Sequence, residues 1–371
     1  METKPSPDLE AICRAFAVDG RWVSSCPIPS GHINDTYCSK FESDGRLVQY
    51  VNQRINHLVF RRPELLMENI ERVTRFAREK ILAAGGDPDR ETLTIVPTRD
   101  GRSFHVTEEG TYWRMFRFIG GARTYDRVED LRHVYSASKA FGRFQRMLAE
   151  LPGGRLHETI PDFHHTRKRY DAFMDALGAD VAHRAAAVKP EIDFVLAREK
   201  DTSVVIDGMG AGRIPERVTH NDTKLNNVMI DDRTGEGICV IDLDTVMPGS
   251  VLYDFGDSVR LGAATAAEDE RDLTKVGFAL DLFDRLVAGY LDAARDFLVP
   301  EEAGLLAFSG KLLTLECGIR FLTDHLKGDV YFKIHREGHN LDRARTQFKM
   351  VAEMEQQTGA MEAVVRKYLG S

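Results

Sequence analysis

The sequence predicts an α+β protein of two lobes, a small β-rich lobe followed by a large, mainly helical one. Strand signals fill residues 21–119, and helical periodicities take over after the pair Gly120-Gly121. A chain of 371 residues also exceeds one average hydrophobic core. We therefore expect a first lobe at residues 1–119, a second at 120–371, and a hinge where they join.

In the first lobe, short runs rich in β-branched and aromatic residues alternate with turn signals. The predicted strands are 37–41, 47–55, 93–97, 103–107 and 111–119. One helix interrupts them, beginning at Pro63 and ending before Gly85-Gly86. Its apolar residues recur at helical spacing: Leu66, Ile70, Val73, Ala77 and Ile81.

The second lobe has helical periodicity at 131–151, 167–177, 269–297 and 301–326. The exception is a predicted β-hairpin, in which the run 228–230, a turn cluster at 231–237 and the apolar run 238–241 follow one another. We expect this hairpin to return the chain at Asp242 to a position beside Asn227.

The most informative stretch is the loop His220-Asn221-Asp222-Thr223-Lys224-Leu225-Asn226-Asn227. It places Asp222 and Asn227 five residues apart, and Asp242 follows Asp222 by twenty residues at the end of a predicted strand. A single Asp or Asn in a loop is usually a turn former or a helix cap. The combination is what phosphoryl transfer from a magnesium nucleotide requires: a base for the attacking hydroxyl, and two oxygen ligands for the metal. The pattern predicts a kinase, with Asp222 as the base and Asn227 and Asp242 as metal ligands.

The triplet Asp254-Phe255-Gly256 has the letters of the metal-binding signature of protein kinases. Here it lies thirty-two residues after Asp222, beyond Pro248-Gly249-Ser250, and precedes a plausible helix start. We expect Asp254 to accept backbone hydrogen bonds that support the loop, or to cap a helix. The metal is therefore assigned to Asp242.

Composition argues against several classes of protein. A net charge of -8 and a pI near 5.9 predict no basic surface for nucleic acid. No run approaches eighteen apolar residues, so no membrane segment is expected, and the N-terminus lacks a signal-peptide profile. Five widely spaced cysteines without a Cys-x-x-Cys predict reduced thiols in the cytosol. The adjacent His164 and His165 are expected at the surface, not on a metal.

These motifs resemble the aminoglycoside phosphotransferase and choline kinase superfamily, whose catalytic loop has the form His-x-Asp-x4-Asn and whose metal strand ends in Ile-Asp. The matching positions are His220, Asp222, Asn227, Ile241 and Asp242. The chain is similar in more detail to the N-acetylhexosamine 1-kinases, at 31–37, 53–56, 241–249, 252–257, 320–326 and 328–332. The resemblance extends over residues 22–350.

The resemblance implies a protein-kinase-like (aminoglycoside phosphotransferase) fold and a cytoplasmic enzyme. That enzyme would use ATP and Mg²⁺ to phosphorylate the anomeric C1 hydroxyl of an N-acetylhexosamine, with His220 supporting the loop. The nucleotide would lie beside the hinge. Nucleotide contacts are expected from Gly31, whose backbone can approach phosphates, and from Asn34, Thr36, Arg54 and Phe118. Contacts with the sugar are expected from His32, Asp222, Arg320 and Tyr331.

Two site residues have alternative interpretations. Arg54 is either a phosphate-binding residue or an exposed strand arginine, and Glu68 and Glu71 both qualify as its partner on the helix. Arg320 either touches the sugar or belongs to a surface ladder with Glu316 and Asp324, spaced i, i+4 on one helix.

Other functions also stay open. A kinase of another small alcohol, such as choline, an aminoglycoside or homoserine, would need the same loop. A non-catalytic binding relative is disfavoured because Asp222, Asn227 and Asp242 are all present. A metal-dependent hydrolase would need histidine-rich ligand clusters that the sequence lacks. The preferred hexosamine and the oligomeric state are not determined by the sequence.

Overall fold

The computed structural model describes residues 7–29, 33–127 and 130–370. These form two compact units. The first contains the chain up to Ala122 together with 151–160 and 238–246, and the second contains the remainder. The predicted α+β, kinase-like fold class is confirmed, since the first unit holds an antiparallel sheet and the second is mainly helical. A single boundary at residue 119 does not anticipate the two later segments that return to the first unit.

The first unit is built on an antiparallel sheet. Its order is β1-β2-β3-β5-β4, with β1 at Arg21–Pro27, β2 at Asp35–Ser43, β3 at Arg46–Ile55, β4 at His105–Val106 and β5 at Tyr112–Arg117. The turn between β2 and β3 places Asp44 and Gly45 at positive φ, as two-residue hairpins favour. The run 93–97 forms only an isolated bridge, from Ile95 to Phe116, because Pro97 has no N–H with which to extend the ladder.

Helices and the sheet of the first unit enclose its core. The helices are α1 at Leu9–Arg14, α2 at Pro63–Ala83 and α3 at Pro88–Glu91. The predicted start of α2 at Pro63 is confirmed, and its five stripe residues are all buried. Cys13, Phe16, Phe41, Trp113 and Met115 lie in an apolar cluster that joins α1 to the sheet.

The second unit consists mainly of helices. They are α4 at Leu131–Leu148, α5 at Thr166–Ala179, α6 at Lys189–Leu196, α7 at Val204–Gly210, α8 at Val251–Gly262, α9 at Leu280–Ala294, α10 at Pro300–Leu326, α11 at His339–Gln356 and α12 at Thr358–Leu369. Helix α10 is buried over most of its length and contributes to two apolar clusters, one with α8 and α9 and one with α5 and α11. No helix in the described ranges is both long and apolar enough to cross a membrane.

The remaining strands are β6 at Ala122–Arg123, β7 at Arg217–Thr219, β8 at Val228–Asp231, β9 at Gly237–Val240 and β10 at Met247–Gly249. β7 pairs with β10 in antiparallel register. The turn predicted between β8 and β9 is closed by a hydrogen bond of 2.9 Å from Asp231 N to Glu236 O. The strands therefore lie where the sequence places the hairpin.

The helix predicted at 269–297 begins instead at Leu280. The preceding residues form a loop in which side chains bind the local backbone. Asp272 Oδ1 accepts from Thr274 N, and Glu270 Oε1 accepts from Asp272 N. Such bonds offer the backbone an alternative to helical pairing, so the helical periodicity of these residues is overridden locally.

Candidate functional site

The loop 220–227, called the catalytic loop below, connects β7 to β8 in the second unit. Its Asp222 carboxylate is 22% exposed and lies 2.8 Å from Lys224 Nζ. Asn227 Nδ2 donates to the backbone oxygen of Asp222 at 2.8 Å and approaches its Oδ2 at 3.3 Å. The structure thus brings Asp222 and Asn227 together. It also adds Lys224, which the sequence interpretation did not single out although it lies only two residues after Asp222.

His220 is fully buried behind this carboxylate. Its ring meets those of Phe141 and Phe144 edge-on, at centroid distances of 5.4 and 6.1 Å. Its Nδ1 accepts a hydrogen bond of 3.3 Å from the backbone N of Asp222. His220 is therefore placed to support the backbone that carries Asp222.

Asp254 lies in the first turn of α8 and is almost completely buried. Its Oδ2 accepts from His220 N at 2.8 Å and from Gln145 Nε2 at 2.6 Å, and its Oδ1 accepts from Asn221 N at 2.6 Å. Burial raises the pKa of this carboxyl, opposed by the charge of His220 and by the bonds from the loop. The three donors favour the charged form of this carboxyl and so oppose the effect of burial.

The rest of the Asp-Phe-Gly triplet explains why it does not form a loop here. Gly256 is inside α8, where an added Cβ would lie 2.4 Å from the carbonyl oxygen of Ser309 on α10. Only glycine allows the two helices to approach this closely. Phe255 is buried in the apolar cluster that α8 shares with α9 and α10. The triplet therefore packs a helix.

A second carboxylate of α8 also holds the catalytic loop. Asp257 Oδ2 accepts from Thr223 N at 3.0 Å, and the opposite oxygen pairs with Arg260 at 2.8 Å. The Arg260 guanidinium contributes to holding the pKa of Asp257 below its usual range despite burial. The sequence interpretation missed Asp257, although its spacing of three residues from Asp254 places both on one face of a helix.

The expectation that His164 is at the surface is wrong. His164 is buried, with Nδ1 3.1 Å from Glu316 Oε2 and Nε2 3.0 Å from the carbonyl oxygen of Asn221. Burial by itself would lower the pKa of His164, but the charge and hydrogen bonds of Glu316 outweigh it and the pKa is raised. An imidazolium can donate from both nitrogens to these two acceptors. The prediction failed because Glu316 is 152 residues away in sequence.

Arg320 does not belong to a surface ladder. Its side chain is only 18% exposed and lies 3.8 Å from the buried Glu316. The guanidinium stands over the rings of Phe163 and Phe332, at 5.4 and 5.6 Å from their centroids. Arg320 is thus linked through Glu316 to His164, and through His164 to the catalytic loop.

The third member of the expected ladder, Asp324, has a different role. Its buried carboxylate accepts hydrogen bonds of 2.8–3.0 Å from the backbone N of Val330, Tyr331 and Phe332. These bonds fix the loop that follows α10. Tyr331 is 69% exposed on this loop, so its ring is presented to solvent.

The first unit contains the remaining predicted site residues. Asp242 is half-buried in the left-handed conformation, with φ 59° and ψ 56°, and is followed by a 3₁₀ turn at Leu243–Thr245. Asn34 uses both polar atoms of its side chain within the protein, donating to Asp244 Oδ2 at 2.6 Å and accepting from Asn56 N at 2.9 Å. Thr36 Oγ1 accepts from Gln53 Nε2 at 3.1 Å.

Arg54 pairs with Asp35, its direct neighbour on β2, through Nε at 2.7 Å. Glu68, one of the two helix partners considered for Arg54, instead lies 2.9 Å from His157 Nε2. Phe118 follows β5 and is 39% exposed. Gly31 and His32 lie outside the described residues.

The residues assigned to the metal have suitable chemistry. Because Asn227 Nδ2 is bound to Asp222, its Oδ1 is at the opposite corner of the amide, and carboxamide and carboxylate oxygens are the donors that Mg²⁺ prefers. Within the described ranges there is no group of three or more His, Cys, Asp or Glu side chains suited to a metal. Asn227 belongs to the second unit and Asp242 to the first, and their sharing of one ion stays a prediction.

A family model described as "Phosphotransferase enzyme family" matches residues 25–297. Among solved structures, an aminoglycoside phosphotransferase from Alicyclobacillus acidocaldarius is 12% identical, with a TM-score of 0.61 over 100% of this chain and 98% of that one. A choline kinase from Cryptosporidium parvum is 14% identical, with a TM-score of 0.57 over 98% and 99%.

The amicoumacin kinase hAmiN, solved with AMP-PNP, Ca²⁺ and Ami, is 11% identical, with a TM-score of 0.57 over 92% of each chain. At these identities the solved structures establish likeness of fold.

Proposed function

Because the chain belongs to the phosphotransferase enzyme family, we propose that it transfers the γ-phosphoryl group of ATP to the anomeric C1 hydroxyl of an N-acetylhexosamine. The feature that carries the proposal is the catalytic loop, where Asp222 keeps a partly exposed carboxylate beside Lys224 and Asn227. Family membership supports phosphoryl transfer. The hexosamine as acceptor is supported by the resemblance in sequence and by the groups around Arg320.

In the reaction, Asp222 accepts the proton of the sugar hydroxyl while that oxygen attacks the γ-phosphorus. The bond from the γ-phosphorus to the β,γ-bridging oxygen breaks, and ADP leaves with the bonding electrons. An anomeric hydroxyl is more acidic than an ordinary alcohol, so a weak base suffices and positioning supplies most of the barrier reduction. Mg²⁺, when bound, neutralises charge on the phosphates, and Asn227 Oδ1 and the Asp242 carboxylate would hold it.

Charge around Arg320 favours a neutral acceptor over a cationic one. The faces of Phe163 and Phe332, which could otherwise bind a quaternary ammonium, already stand beside the guanidinium of Arg320. Burial lowers the pKa of Arg169, and the nearby positive charge of Arg320 lowers it further. Two arginines would repel choline or an aminoglycoside, whereas the acetamido carbonyl and hydroxyls of a hexosamine can accept hydrogen bonds from Arg320 and Tyr331.

The acceptor is tested by measuring ADP release with N-acetylglucosamine, N-acetylgalactosamine, glucose, choline, homoserine and kanamycin. We expect the two N-acetylhexosamines to be far better substrates than the others. Phosphorus NMR of the product should place the phosphate on C1, and a sugar blocked at the anomeric oxygen should not react. Phosphate on C6, or equal reaction of the blocked sugar, would contradict the 1-kinase assignment while leaving the kinase assignment intact.

Arg320→Ala tests the acceptor contact separately. It should raise the KM for the sugar and leave that for ATP nearly unchanged, because it removes a hydrogen-bond donor on the acceptor side only. Arg343→Ala is a matched control, since Arg343 also stands over an aromatic ring, that of Phe321, at 5.4 Å. Equal effects of the two substitutions on the sugar KM would argue against the contact.

A further inference from the structure

The backbone conformation of Asp242 needs an explanation. Its φ of 59° is in the left-handed region, which costs free energy for most residues with a Cβ although aspartate tolerates it better than most. The residues that follow, 243–246, are held by several separate parts of the first unit. Their contacts show what holds the backbone that follows Asp242.

The strongest of these contacts involve Asp244, two residues after Asp242. Its Oδ1 lies 2.5 Å from Arg114 Nη1 on β5, and its Oδ2 accepts from Asn34 Nδ2 at 2.6 Å. The side chains of Asp244 and Arg114 are only 4% and 1% exposed. The Asp244 carboxylate is thus paired with a buried guanidinium and hydrogen-bonded to Asn34, so its contacts lie within the protein although it follows Asp242 closely.

Two more contacts hold the backbone of the same turn. Thr159 Oγ1 donates to the carbonyl oxygen of Asp244 at 2.8 Å. Asn69 on α2 donates to the carbonyl oxygen of Val246 at 3.1 Å, and its other bonds go to the backbone of His157. The turn after Asp242 is therefore bound from a strand, a loop, a helix and the segment 151–160.

Arg114 is itself fixed by neighbouring strands. Its Nε donates to Gln53 Oε1 at 3.0 Å on β3, and Gln53 donates to Thr36 on β2. The network thus includes Thr36 and, through Asp244, also Asn34. Both residues are assigned to the nucleotide, and among the described residues with that assignment they are nearest in sequence to Gly31. The side of the site assigned to phosphate and the side assigned to metal are joined by one set of partly buried polar contacts.

We propose that Asp244, together with Arg114 and Asn34, is a positioning group that holds Asp242 in its metal-binding conformation. This rests on the proposed function, in which Asp242 binds the metal of the nucleotide. Asp244 touches neither substrate nor metal, and it acts through the turn that it anchors. Loss of such a supporting residue commonly lowers metal affinity by about 10–100-fold.

Asp244→Asn tests the proposal. The new amide keeps one acceptor for Arg114 but turns an N–H₂ group toward Asn34 Nδ2, which is itself a donor. We expect the Kd for Mg²⁺·ATP, measured by calorimetry without any acceptor, to rise at least about tenfold. In turnover assays the KM for Mg²⁺·ATP should rise and kcat should fall, while the KM for the sugar changes less than about twofold.

Two further variants separate positioning from folding. Arg114→Met combined with Asp244→Leu removes both buried charges, which proteins often tolerate, so this variant should unfold near the wild-type temperature and still bind Mg²⁺·ATP weakly. Glu42→Gln breaks the exposed pair with Arg21 in the same sheet and serves as the control, with wild-type binding expected.

Wild-type Mg²⁺·ATP affinity in the folded Asp244→Asn or double variant would overturn the proposal. So would unchanged affinity in Asp242→Asn, because Asp242 would then not be the ligand that Asp244 positions. The calorimetry contains no sugar. A failure to phosphorylate any hexosamine would therefore contradict the proposed function and leave the role of Asp244 to be decided by the binding data.

Discussion

Replacement of Asp254 by asparagine should destabilise the protein without removing its capacity to bind the magnesium nucleotide. Asp254 receives three hydrogen bonds, from His220 N, Asn221 N and Gln145 Nε2, all buried. An asparagine of the same shape has one accepting oxygen. Its amide nitrogen must face a donor, whichever way the side chain is turned.

The size of the effect follows from the partners that remain unbonded. If the asparagine oxygen takes the place of Oδ2, the N–H of Asn221 loses its acceptor, and in the reverse orientation His220 N and Gln145 both lose theirs. Reversal of Gln145 would require Tyr290 Oη, which donates to Gln145 Oε1 at 2.6 Å, to accept a hydrogen bond instead. One buried unsatisfied donor costs about 1–3 kcal/mol, and the loss of charge-assisted bonds adds to this. We expect a loss of about 2–4 kcal/mol in the free energy of unfolding.

The assay compares thermal and denaturant unfolding of Asp254→Asn with those of Asp296→Asn, whose side chain is 73% exposed in the same unit. The control should unfold like the wild type. Calorimetry on the folded protein should give the Kd for Mg²⁺·ATP within about threefold of the wild-type value, since the substitution leaves Asn227 and Asp242 in place. An unchanged stability, or a selective loss of Mg²⁺·ATP binding at full stability, would refute the supporting role of Asp254.

Three further predictions concern single side chains. Asp222→Asn should lower turnover at least about a hundredfold and leave ATP binding intact, and near-normal turnover in a folded variant would contradict its role as the base. Asp242→Asn should weaken Mg²⁺·nucleotide binding and abolish turnover; metal dependence that follows Asp254 would mean that the wrong carboxylate was chosen. His164→Gln should cost about 3–5 kcal/mol in the free energy of unfolding, because it removes the closest positive charge from the buried Glu316 and leaves Arg320 at 3.8 Å. The pKa of His164 is raised above 6.5 and that of Glu316 is lowered below 4.5. The free energy of unfolding of the wild type should therefore exceed that of the variant most between pH 4.5 and pH 6.5. This difference in free energy of unfolding should fall as pH rises through the raised pKa of His164, and a difference that does not depend on pH would contradict the ion pair.

The parts of the fold that the sequence predicts are those fixed by local chemistry. The strands around the turn at Asp44 and Gly45 and the helix beginning at Pro63 follow from turn residues and from the spacing of apolar residues. The loop from Asp222 to Asn227 is likewise a local pattern. Each of these depends on neighbours within a few residues.

The contacts that the sequence did not reveal join residues far apart in the chain. His164 is buried because of Glu316, and Asp244 is fixed by Arg114 and Asn34, which is 210 residues away. Neither residue propensity nor hydrophobic periodicity indicates such pairs, because a charged or polar residue taken alone is usually exposed. Contacts between distant parts of the chain also place 238–246 in the first unit, which a change of composition along the sequence does not indicate.

The burial of each carboxylate and the origin of its donors separate structural from chemical acids in this chain. Asp254 and Asp244 are each bound by donors from other elements, and each is at most 4% exposed in its side chain or as a whole residue. A carboxylate in that state can take a proton or a metal only by weakening its bonds to buried donors, which costs free energy. Asp222 differs on both counts, since 22% of its side chain is exposed and its side-chain donors, Lys224 and Asn227, come from its own loop. A base must exchange one of its hydrogen bonds for the substrate hydroxyl. Of these three aspartates, Asp222 is the one that can make this exchange without removing the acceptor of a donor from another element.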